Sequence, residues 1–284
     1  MFGAQQTAFQ GEEHRPFLLD AGEASPAALL VHGFPGSPAE MRQLGHDLNA
    51  QGWTAKGVLL PGFGPDIETL PSRTAKDWFA AVRNALDALQ ERHERVVLIG
   101  NSMGGALAIQ AAARGAPPDG LILFAPFWKL EHPLWTALPI LKTLFPNPRI
   151  FRYLKLDFKK QEVRDGIHNF MPGADLDDPK VQKAIRDFRL PLAMFGQIRE
   201  VGQQAYQLAP HINIPALVLQ GGADDLVKPD LTRQLAGRFS GSRQVREFPG
   251  LDHNLLAAPP SRWGEVRAEV LSFLQTFETV GVTR

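Results

Sequence analysis

The segment 97–108, VLIGNSMGGALA, constrains the fold of this chain more than any other stretch. β-Branched and apolar residues lead into it, which is typical of a buried central strand over Arg95–Gly100. The alanine-rich run that follows predicts a helix over Met103–Arg114. The chain must therefore turn from strand to helix within two residues, a connection found where helices cover a parallel sheet.

The same alternation of strand and helix runs through most of the chain. After the first strand, the letters SPAE from Ser37 to Glu40 match a capping box, which predicts a helix running to about Gln51. The pattern as a whole predicts an α/β fold with a mostly parallel sheet flanked by helices. The predicted strands are Ala27–Val31, Trp53–Leu59, Arg95–Gly100, Gly120–Phe124, Ala216–Gln220 and Gln244–Phe248.

The alternation stops between Pro126 and His211, where prolines and aromatic residues replace the strand pattern. We interpret 126–211 as an inserted helical cap, and 1–125 with 212–284 as the core domain. An apolar belt marks the beginning of the insertion: Phe127, Trp128, Leu130, Leu134, Trp135, Leu138, Ile140, Leu141, Leu144 and Phe145. We expect most of this belt to pack within the cap or against the core, and the remainder to roof a site.

Composition excludes several classes of function. Lys and Arg total 30 and Asp and Glu total 30, so no global field attracts nucleic acid or an anionic membrane. The absence of cysteine excludes disulfides, thiolate zinc sites and cysteine nucleophiles. His32, His46 and His93 lack partners at ligand spacing, so neither a metal nor a cofactor is predicted. With neither a leader-like N-terminus nor a spanning apolar segment, a cytoplasmic protein is expected.

The residues from Gly100 to Gly104 match the pattern G-x-S-x-G in the strand–turn–helix context that the pattern requires. Neighbouring backbone comes so close in such a turn that only glycine fits two residues before and after the serine. The turn exposes the hydroxyl beside a helix N-terminus, which favours negative charge. Ser102 is therefore the candidate nucleophile, and a serine that only caps the helix is the alternative.

A serine hydroxyl needs a base, commonly a histidine that is held by a carboxylate. In chains with this pattern the acid and then the histidine follow the serine, on loops after later strands. The strand Ala216–Gln220 leads into GGADDLV, where Asp224 and Asp225 are both candidate acids. We favour Asp224, which lies nearer the strand end. Only His253, of eight histidines, lies beyond this loop, and it is the candidate base.

A tetrahedral oxyanion requires hydrogen-bond donors, each worth about 3 kcal/mol. One donor is expected to be the backbone N–H of Met103, which follows the candidate nucleophile. The other is expected in the loop HGFPG at 32–36, after the first strand. Pro35 has no N–H, so Phe34 is the natural donor there.

Taken together, these motifs resemble those of α/β-hydrolase serine esterases, most closely the bacterial carboxylesterases and monoacylglycerol lipases. The resemblance rests on HGFPGSPAEM, LLPGFG, GNSMGG, GGADDLV and GLDHN. It implies the α/β-hydrolase fold and these roles: Ser102 as nucleophile, Asp224 as acid, His253 as base, and Phe34 and Met103 as backbone oxyanion donors. Asn101 departs from the pattern, because monoacylglycerol lipases usually have histidine there.

The predicted activity is hydrolysis of carboxylic esters with short to medium acyl chains, with monoacylglycerols among the candidate substrates. A site roofed by an apolar cap favours an acyl chain over a charged or sugar-like group. Phe127, Trp128 and Trp135 are candidate substrate-binding residues. The expected partner is a small-molecule ester or lipid, and membrane contact is expected to be limited to adsorption through the cap.

Other functions stay open because they use the same three side chains. Thioesterases, acyltransferases, carbon–carbon bond hydrolases and peptidases share this arrangement. An aminopeptidase needs acidic cap residues to bind the substrate amine, and Glu131, Glu162 and Asp165 are candidates. A binding protein that has lost catalysis is a further alternative, although such chains usually lack part of the triad.

Overall fold

The structure is a computed structural model that describes residues 9, 11–145, 148, 156–161, 163–164, 167, 175–187 and 192–278. Its strands are β1 (Phe17–Leu19), β2 (Ala27–Val31), β3 (Thr54–Val58), β4 (Val96–Asn101), β5 (Gly120–Phe124), β6 (Ala216–Gly221) and β7 (Arg243–Phe248). They form one seven-stranded sheet in the order β1-β3-β2-β4-β5-β6-β7. β1 is antiparallel to β3, and every other neighbouring pair is parallel.

Helices cover the sheet. They are α1 (Arg42–Asn49), α2 (Ala75–Gln90), α3 (Met103–Ala113), α4 (Pro133–Leu144), α5 (Pro179–Asp187), α6 (Leu192–Leu208), α7 (Pro229–Ala236) and α8 (Pro260–Glu278). Thr74 caps the N-terminus of α2 in a complete capping box. The Thr74 side chain accepts the N–H of Asp77, and the Asp77 carboxylate accepts the N–H of Thr74. None of the helices in the described part of the chain combines the length and apolarity that crossing a bilayer requires.

Alternate residues of the central strands pack in two separate cores. In β2, Leu29 and Val31 pack in one core with α2 and α3, while Ala28 and Leu30 pack in the other with α1 and α8. This is the period of two expected for a strand that is buried on both faces. The sheet is therefore the middle layer between two cores, and it anchors the loops that follow its strands.

The register of the central strands brings their carboxyl ends to one edge. Val31 of β2 lies opposite Gly100 of β4, and Asn101 lies opposite Phe124 at the end of β5. In open α/β sheets, ligands bind at this edge. The residues that follow β2, β4, β5, β6 and β7 therefore converge there.

The predicted α/β fold is confirmed, and six predicted strands match observed strands to within one residue at each end. The strand that the sequence analysis missed is β1, which has only three residues and pairs antiparallel at the sheet edge. So short a segment offers no clear periodicity, and its pairing with β3 is a long-range contact. The described residues of 126–211 include the helices α4, α5 and α6, and the boundaries of a cap stay a prediction.

Candidate active site

Ser102 occupies a sharp turn between β4 and α3. Its backbone has φ 50° and ψ −113°, a conformation that residues with a Cβ rarely adopt. A Cβ on Gly100 would collide with the backbone of Gly104, and one on Gly104 would collide with the carbonyl oxygens of Val31 and His32. Glycine at these two positions is what permits the turn, which presents Ser102 at the carboxyl edge of the sheet.

Backbone hydrogen bonds tie this turn to the neighbouring strand and to the start of the next segment. The N–H of Ser102 donates to the carbonyl of Phe124 at 2.8 Å. The carbonyl of Ser102 accepts the N–H of Phe127 at 3.0 Å. A Cβ on Gly105 would lie 3.2 Å from Pro126, so this glycine makes room for the start of 126–211. The strained backbone of Ser102 is thus supported from both sides.

His253 lies between Ser102 and Asp224. Its Nε2 is 3.0 Å from Ser102 Oγ, and its Nδ1 is 2.7 Å from Asp224 Oδ2. The Asp224 side chain is fully buried, whereas 16% of the His253 side chain stays exposed. The loops after β6 and β7 thus bring together with Ser102 the two side chains that the sequence predicted as its partners.

The carboxylate of Asp224 is held by its own loop. Its Oδ1 accepts the backbone N–H groups of Leu226 and Val227, at 2.9 and 2.8 Å. Its Oδ2 accepts from Gln220 Nε2 at 3.0 Å, in addition to His253. Asp225, the other candidate acid, is exposed. Asp224 is therefore the aspartate of this pair that faces the histidine.

These contacts define the tautomer of His253. A carboxylate only accepts hydrogen bonds, so Nδ1 of His253 carries the hydrogen and donates it to Asp224. The lone pair on Nε2 then faces Ser102, whose Oγ–H donates to it. This tautomer is the one that a general base for Ser102 requires.

His32 is a buried histidine that holds the loop after β2. The N–H of Leu60 donates to its Nε2 at 3.1 Å, so the ring hydrogen lies on Nδ1 and donates to the carbonyl of Gly33 at 2.9 Å. Burial lowers the pKa of His32 from 6.5 to about 4, opposed by the bond to Gly33. The ring is therefore neutral at pH 7 and serves as a bridge between two backbone segments.

The capping box predicted at Ser37 is wrong in its second half. Ser37 Oγ accepts the N–H of Ala39 at 3.3 Å, and a short 3₁₀ turn precedes α1. The carboxylate of Glu40 instead turns toward the sheet edge, where its Oε1 accepts from Gly33 N at 2.5 Å and from Asn101 Nδ2 at 2.9 Å. At the sheet edge the carboxylate gains two hydrogen bonds, whereas in a capping box it would gain one, from the N–H of Ser37. Burial raises the pKa of Glu40, and these hydrogen bonds oppose that shift.

The side chain of Phe34 joins the loop after β2 to α6. Its ring packs edge-on against Phe63 at 6.0 Å and against Phe195 at 5.9 Å, measured between centroids. Sequence analysis missed Phe195, because one aromatic residue in an amphipathic helix does not indicate which ring it meets. The contact places an apolar side chain of α6 beside the loop that carries the predicted oxyanion donor.

The three candidate substrate-binding residues each have packing partners. Phe127 is buried and packs edge-on against Trp135, with ring centroids 5.6 Å apart. Trp128 stacks on Tyr206 at 4.1 Å, and its indole N–H donates to the carbonyl of Leu231 at 2.9 Å. Trp128 therefore joins α6 to α7, and a contact of any of the three with substrate stays a prediction.

Acidic residues that would bind a substrate amine are engaged or outside the described chain. Glu131 lies 3.7 Å from Lys129 and 3.4 Å from Lys228, so its charge is already balanced. Glu162 and Asp165 lie outside the described residues. Across the described ranges, His, Asp and Glu side chains do not group in threes as metal ligands would.

The strained serine turn, the order of the loops and the sheet topology define the class of this protein: it has the α/β-hydrolase fold. The model of the serine aminopeptidase S33 family, Hydrolase_4, matches residues 22–259, and the chain belongs to this family.

Individual relatives narrow the class. The thermostable monoacylglycerol lipase of Bacillus sp. (strain H-257) is 27% identical over 214 residues, which are 75% of this chain and 76% of that lipase. The carboxylesterase of Bacillus subtilis (strain 168) is 33% identical over 97 residues, 34% of this chain and 39% of that esterase. A solved structure from work on the metagenome-derived lipolytic enzymes LipS and LipT has a TM-score of 0.71 at 20% identity, over 93% of this chain and 98% of the other. The chain is thus a monoacylglycerol lipase- and esterase-like α/β-hydrolase, which confirms the resemblance.

Proposed function

We propose that this protein hydrolyses carboxylic esters through an acyl-enzyme, with Ser102 as nucleophile, His253 as general base and Asp224 as the acid that holds the histidine. The observation that carries the proposal is the continuous series of hydrogen bonds from Asp224 through His253 to Ser102, at 2.7 and 3.0 Å. Both contacts are short enough for proton transfer and orientation. The similarity to named lipases and an esterase supports the ester as the bond that is cleaved.

In the acylation step, Ser102 Oγ bonds to the ester carbonyl carbon while its proton passes to His253 Nε2. The buried carboxylate of Asp224 stabilises the imidazolium that forms. Collapse of the tetrahedral intermediate breaks the bond to the alcohol oxygen, which takes the proton from His253. Water then attacks the acyl-enzyme in the same way, so that Ser102 regains its proton and the carboxylic acid leaves.

The oxyanion of both intermediates would be bound by the backbone N–H groups of Met103 and Phe34. Met103 opens α3, and N–H groups in the first turn of a helix have no acceptor within the helix. Gly33 supports the second assignment, because a Cβ at this position would lie 3.2 Å from Ser102 Cβ. The loop that carries Phe34 therefore runs directly beside the nucleophile.

The substrates are proposed to be esters of short to medium acyl chains, including monoacylglycerols. The Phe34 ring of the proposed oxyanion loop packs against Phe195, and Phe127, whose N–H donates to the Ser102 carbonyl, packs against Trp135. Such a lining binds hydrocarbon better than charged or hydroxylated groups. Segment 126–211, which contributes α4, α5 and α6, is proposed to act as the cap that shapes this acyl site.

Replacing Ser102 with alanine tests the nucleophile. We expect Ser102→Ala to lower kcat on p-nitrophenyl butyrate by about 10⁴- to 10⁶-fold, because the covalent step is lost. A fluorophosphonate probe should label the wild type and leave this variant unlabelled. Circular dichroism and thermal unfolding of the variant provide the control for folding. A loss of less than tenfold, or labelling that persists in the variant, would contradict the assignment.

A peptidase activity is the competing function, because the family model is named for a serine aminopeptidase. The ion pairs of Glu131 with Lys129 and Lys228 leave this carboxylate unsuited to bind a substrate amine. We therefore expect aminoacyl p-nitroanilides to be turned over far more slowly than p-nitrophenyl esters from acetate to laurate. The two series are compared by kcat/KM, and faster anilide turnover would reverse the assignment.

A further inference from the structure

One carboxylate beside the nucleophile has no part in the mechanism above. Glu40 is partly buried, and its Oε1 accepts two hydrogen bonds, from Gly33 N at 2.5 Å and from Asn101 Nδ2 at 2.9 Å. Gly33 belongs to the loop with the proposed oxyanion donor, and Asn101 directly precedes Ser102. A single oxygen atom therefore joins the oxyanion loop to the turn that carries the nucleophile.

Gly33 is held through both of its polar backbone atoms. Glu40 accepts its N–H, and Nδ1 of His32 donates to its carbonyl at 2.9 Å. The carbonyl of Gly33 and the N–H of Phe34 belong to one planar trans peptide unit, so they point in opposite directions. Holding Gly33 on both sides therefore sets the direction of the Phe34 N–H.

The loop is shaped around the carboxylate of Glu40. A Cβ on Gly36 would collide with Glu40 Oε2, and a Cβ on Gly33 would lie 3.2 Å from the carbonyl oxygen of Asn101. The glycine at 36 thus leaves space for the carboxylate, and the glycine at 33 lets the loop approach the turn. The space at Gly36 would be unnecessary if the carboxylate of Glu40 only capped the helix that follows.

Glu40 offers both a negative charge and a hydrogen-bond acceptor at this position. Burial raises the pKa of Glu40, while the bonds from Asn101 and Gly33 and the positive form of His253 oppose that shift. A glutamine side chain has nearly the same shape, and its carbonyl oxygen accepts two hydrogen bonds without any charge. The substitution Glu40→Gln therefore removes the charge of the side chain and keeps its hydrogen-bond acceptor.

We propose that Glu40 is a positioning residue for the oxyanion hole, which holds Gly33 against Asn101 and so keeps the Phe34 N–H directed at the oxyanion formed on Ser102. The inference rests on the proposed function, because it assigns the orientation of one proposed oxyanion donor. Such a donor acts on the transition state more than on the bound ester. Loss of the hydrogen bonds from Gly33 and Asn101 to Glu40 is therefore expected to lower kcat with little change in KM.

Three variants test the proposal: Glu40→Leu, Glu40→Gln and, as a surface control, Glu91→Leu. Glu91 is exposed and follows α2, before the start of β4. Glu40→Leu is expected to lower kcat by about 10- to 100-fold with KM within about threefold, as for a misdirected transition-state contact. Glu40→Gln should keep kcat within about threefold because the acceptor remains. Glu91→Leu should match the wild type.

Inhibition by a compound that forms a tetrahedral adduct distinguishes a misdirected oxyanion donor from a general loss of folding. An alkyl trifluoromethyl ketone adds to the serine and places an oxyanion in the hole, whereas an alkyl ether of equal length binds without an adduct. In Glu40→Leu, the Ki of the ketone should rise in parallel with the loss of kcat, and the Ki of the ether should stay unchanged. Fluorophosphonate titration counts intact sites, so that kcat is given per reactive serine.

Wild-type kcat per site in Glu40→Leu would overturn the proposal, as would an equal loss in Glu40→Gln. If Glu40→Leu does not fold, Asn101→Ala removes the hydrogen bond to Glu40 from the side of the turn, and an unchanged kcat in that variant would also overturn the proposal. A wild type that reacts with fluorophosphonate but cleaves no ester would contradict the proposed function instead. In that case, the rate constants for fluorophosphonate labelling of the Glu40 variants would still test the position of the Phe34 N–H.

Discussion

Asp224 is a buried carboxyl group whose hydrogen-bond partners are in place in the absence of substrate. Both of its oxygens accept hydrogen bonds, from two backbone N–H groups of its own loop, from Gln220 and from His253. Gln220 is itself held, because its Oε1 accepts from Thr232 Oγ1. A carboxylate with this many donors is held in one orientation, and it orients the imidazole at no further entropic cost.

Asparagine substitutions at positions 224 and 225 distinguish the two candidate acids. Asp224→Asn should lower kcat by about 10⁴-fold, because the amide no longer stabilises the imidazolium and favours the wrong tautomer of His253. Asp225→Asn, at an exposed position, should change kcat by less than about threefold. Steady-state kinetics on one soluble ester provide the comparison. A larger defect at 225 than at 224 would reassign the acid.

His32 makes the stability of the fold dependent on pH. Its folded pKa of about 4 lies below the ordinary value of 6.5, so the unfolded chain binds the extra proton between these pH values. The free energy of unfolding should therefore fall as the pH drops from 6.5 towards 4, by about 3 kcal/mol from this residue. Urea unfolding at pH 7 and pH 4.5 should show a smaller decrease in His32→Gln than in the wild type. An equal decrease in both proteins would refute the prediction.

Among the secondary-structure elements, α3 is a helix that is buried along almost its whole length. Its residues from Met103 to Ala112 are all buried, and most of them are glycine or alanine. Small side chains let the helix lie close to β2 and β4 on one side and to α6 on the other, where Gln110 Nε2 donates to the carbonyl of Val201 at 3.0 Å. A helix buried on every side carries no amphipathic stripe, so it is predicted from its alanine-rich composition and from the turn that precedes it.

Two glycine-to-alanine substitutions compare a packed helix with an exposed one. Gly104→Ala in α3 should abolish activity and lower the free energy of unfolding by several kcal/mol, because the new Cβ meets the carbonyl oxygens of Val31 and His32. At Gly264 in α8, a Cβ would meet no other atom within 4 Å. Gly264→Ala should therefore stabilise the protein by about 0.5 to 1 kcal/mol. Chemical denaturation measures both changes. Tolerance of Gly104→Ala would show that the turn relaxes.

The sequence could predict elements whose cause is local. The glycines around Ser102 and the order of the later loops are such causes, and they led to Asp224 and His253 in advance of the structure. Glu40 and Phe195 could not be predicted in the same way, because no motif or chain order connects Glu40 with Asn101 or Phe195 with Phe34. The letters around Glu40 fit a capping box, and only the proximity of Gly33 and Asn101 explains why its carboxylate turns away.

At the scale of the whole molecule, α4 and the residue after it expose an apolar surface. The exposed fractions are 67% for Ile140, 64% for Leu144 and 58% for Phe145, whereas Leu138 is buried. Ile140 and Leu144 are four residues apart and therefore share one face of the helix. We predict that this exposed apolar face adsorbs to a lipid surface.

The double variant Ile140→Ser with Leu144→Ser tests this adsorption. We expect binding to phosphatidylcholine vesicles to weaken by at least about tenfold, since each lost side chain removes 1 kcal/mol or more of apolar burial. Turnover of emulsified monoacylglycerol should fall, while turnover of soluble p-nitrophenyl acetate should not. Thr143→Ser on the same helix serves as the control. Equal loss on both substrates would argue against a surface effect.

The distance along the chain between the interacting side chains has a consequence for biosynthesis. Ser102 and His253 are separated by 151 residues, and Asp224 and His253 by 29. A growing polypeptide leaves the ribosome N-terminal end first, so the serine turn emerges long before the imidazole that would activate it. Until β7 has docked at the sheet edge, the nascent chain carries an ordinary alcohol. The hydrogen bonds from Asp224 through His253 to Ser102 would then form only after the segment that carries His253 has left the ribosome.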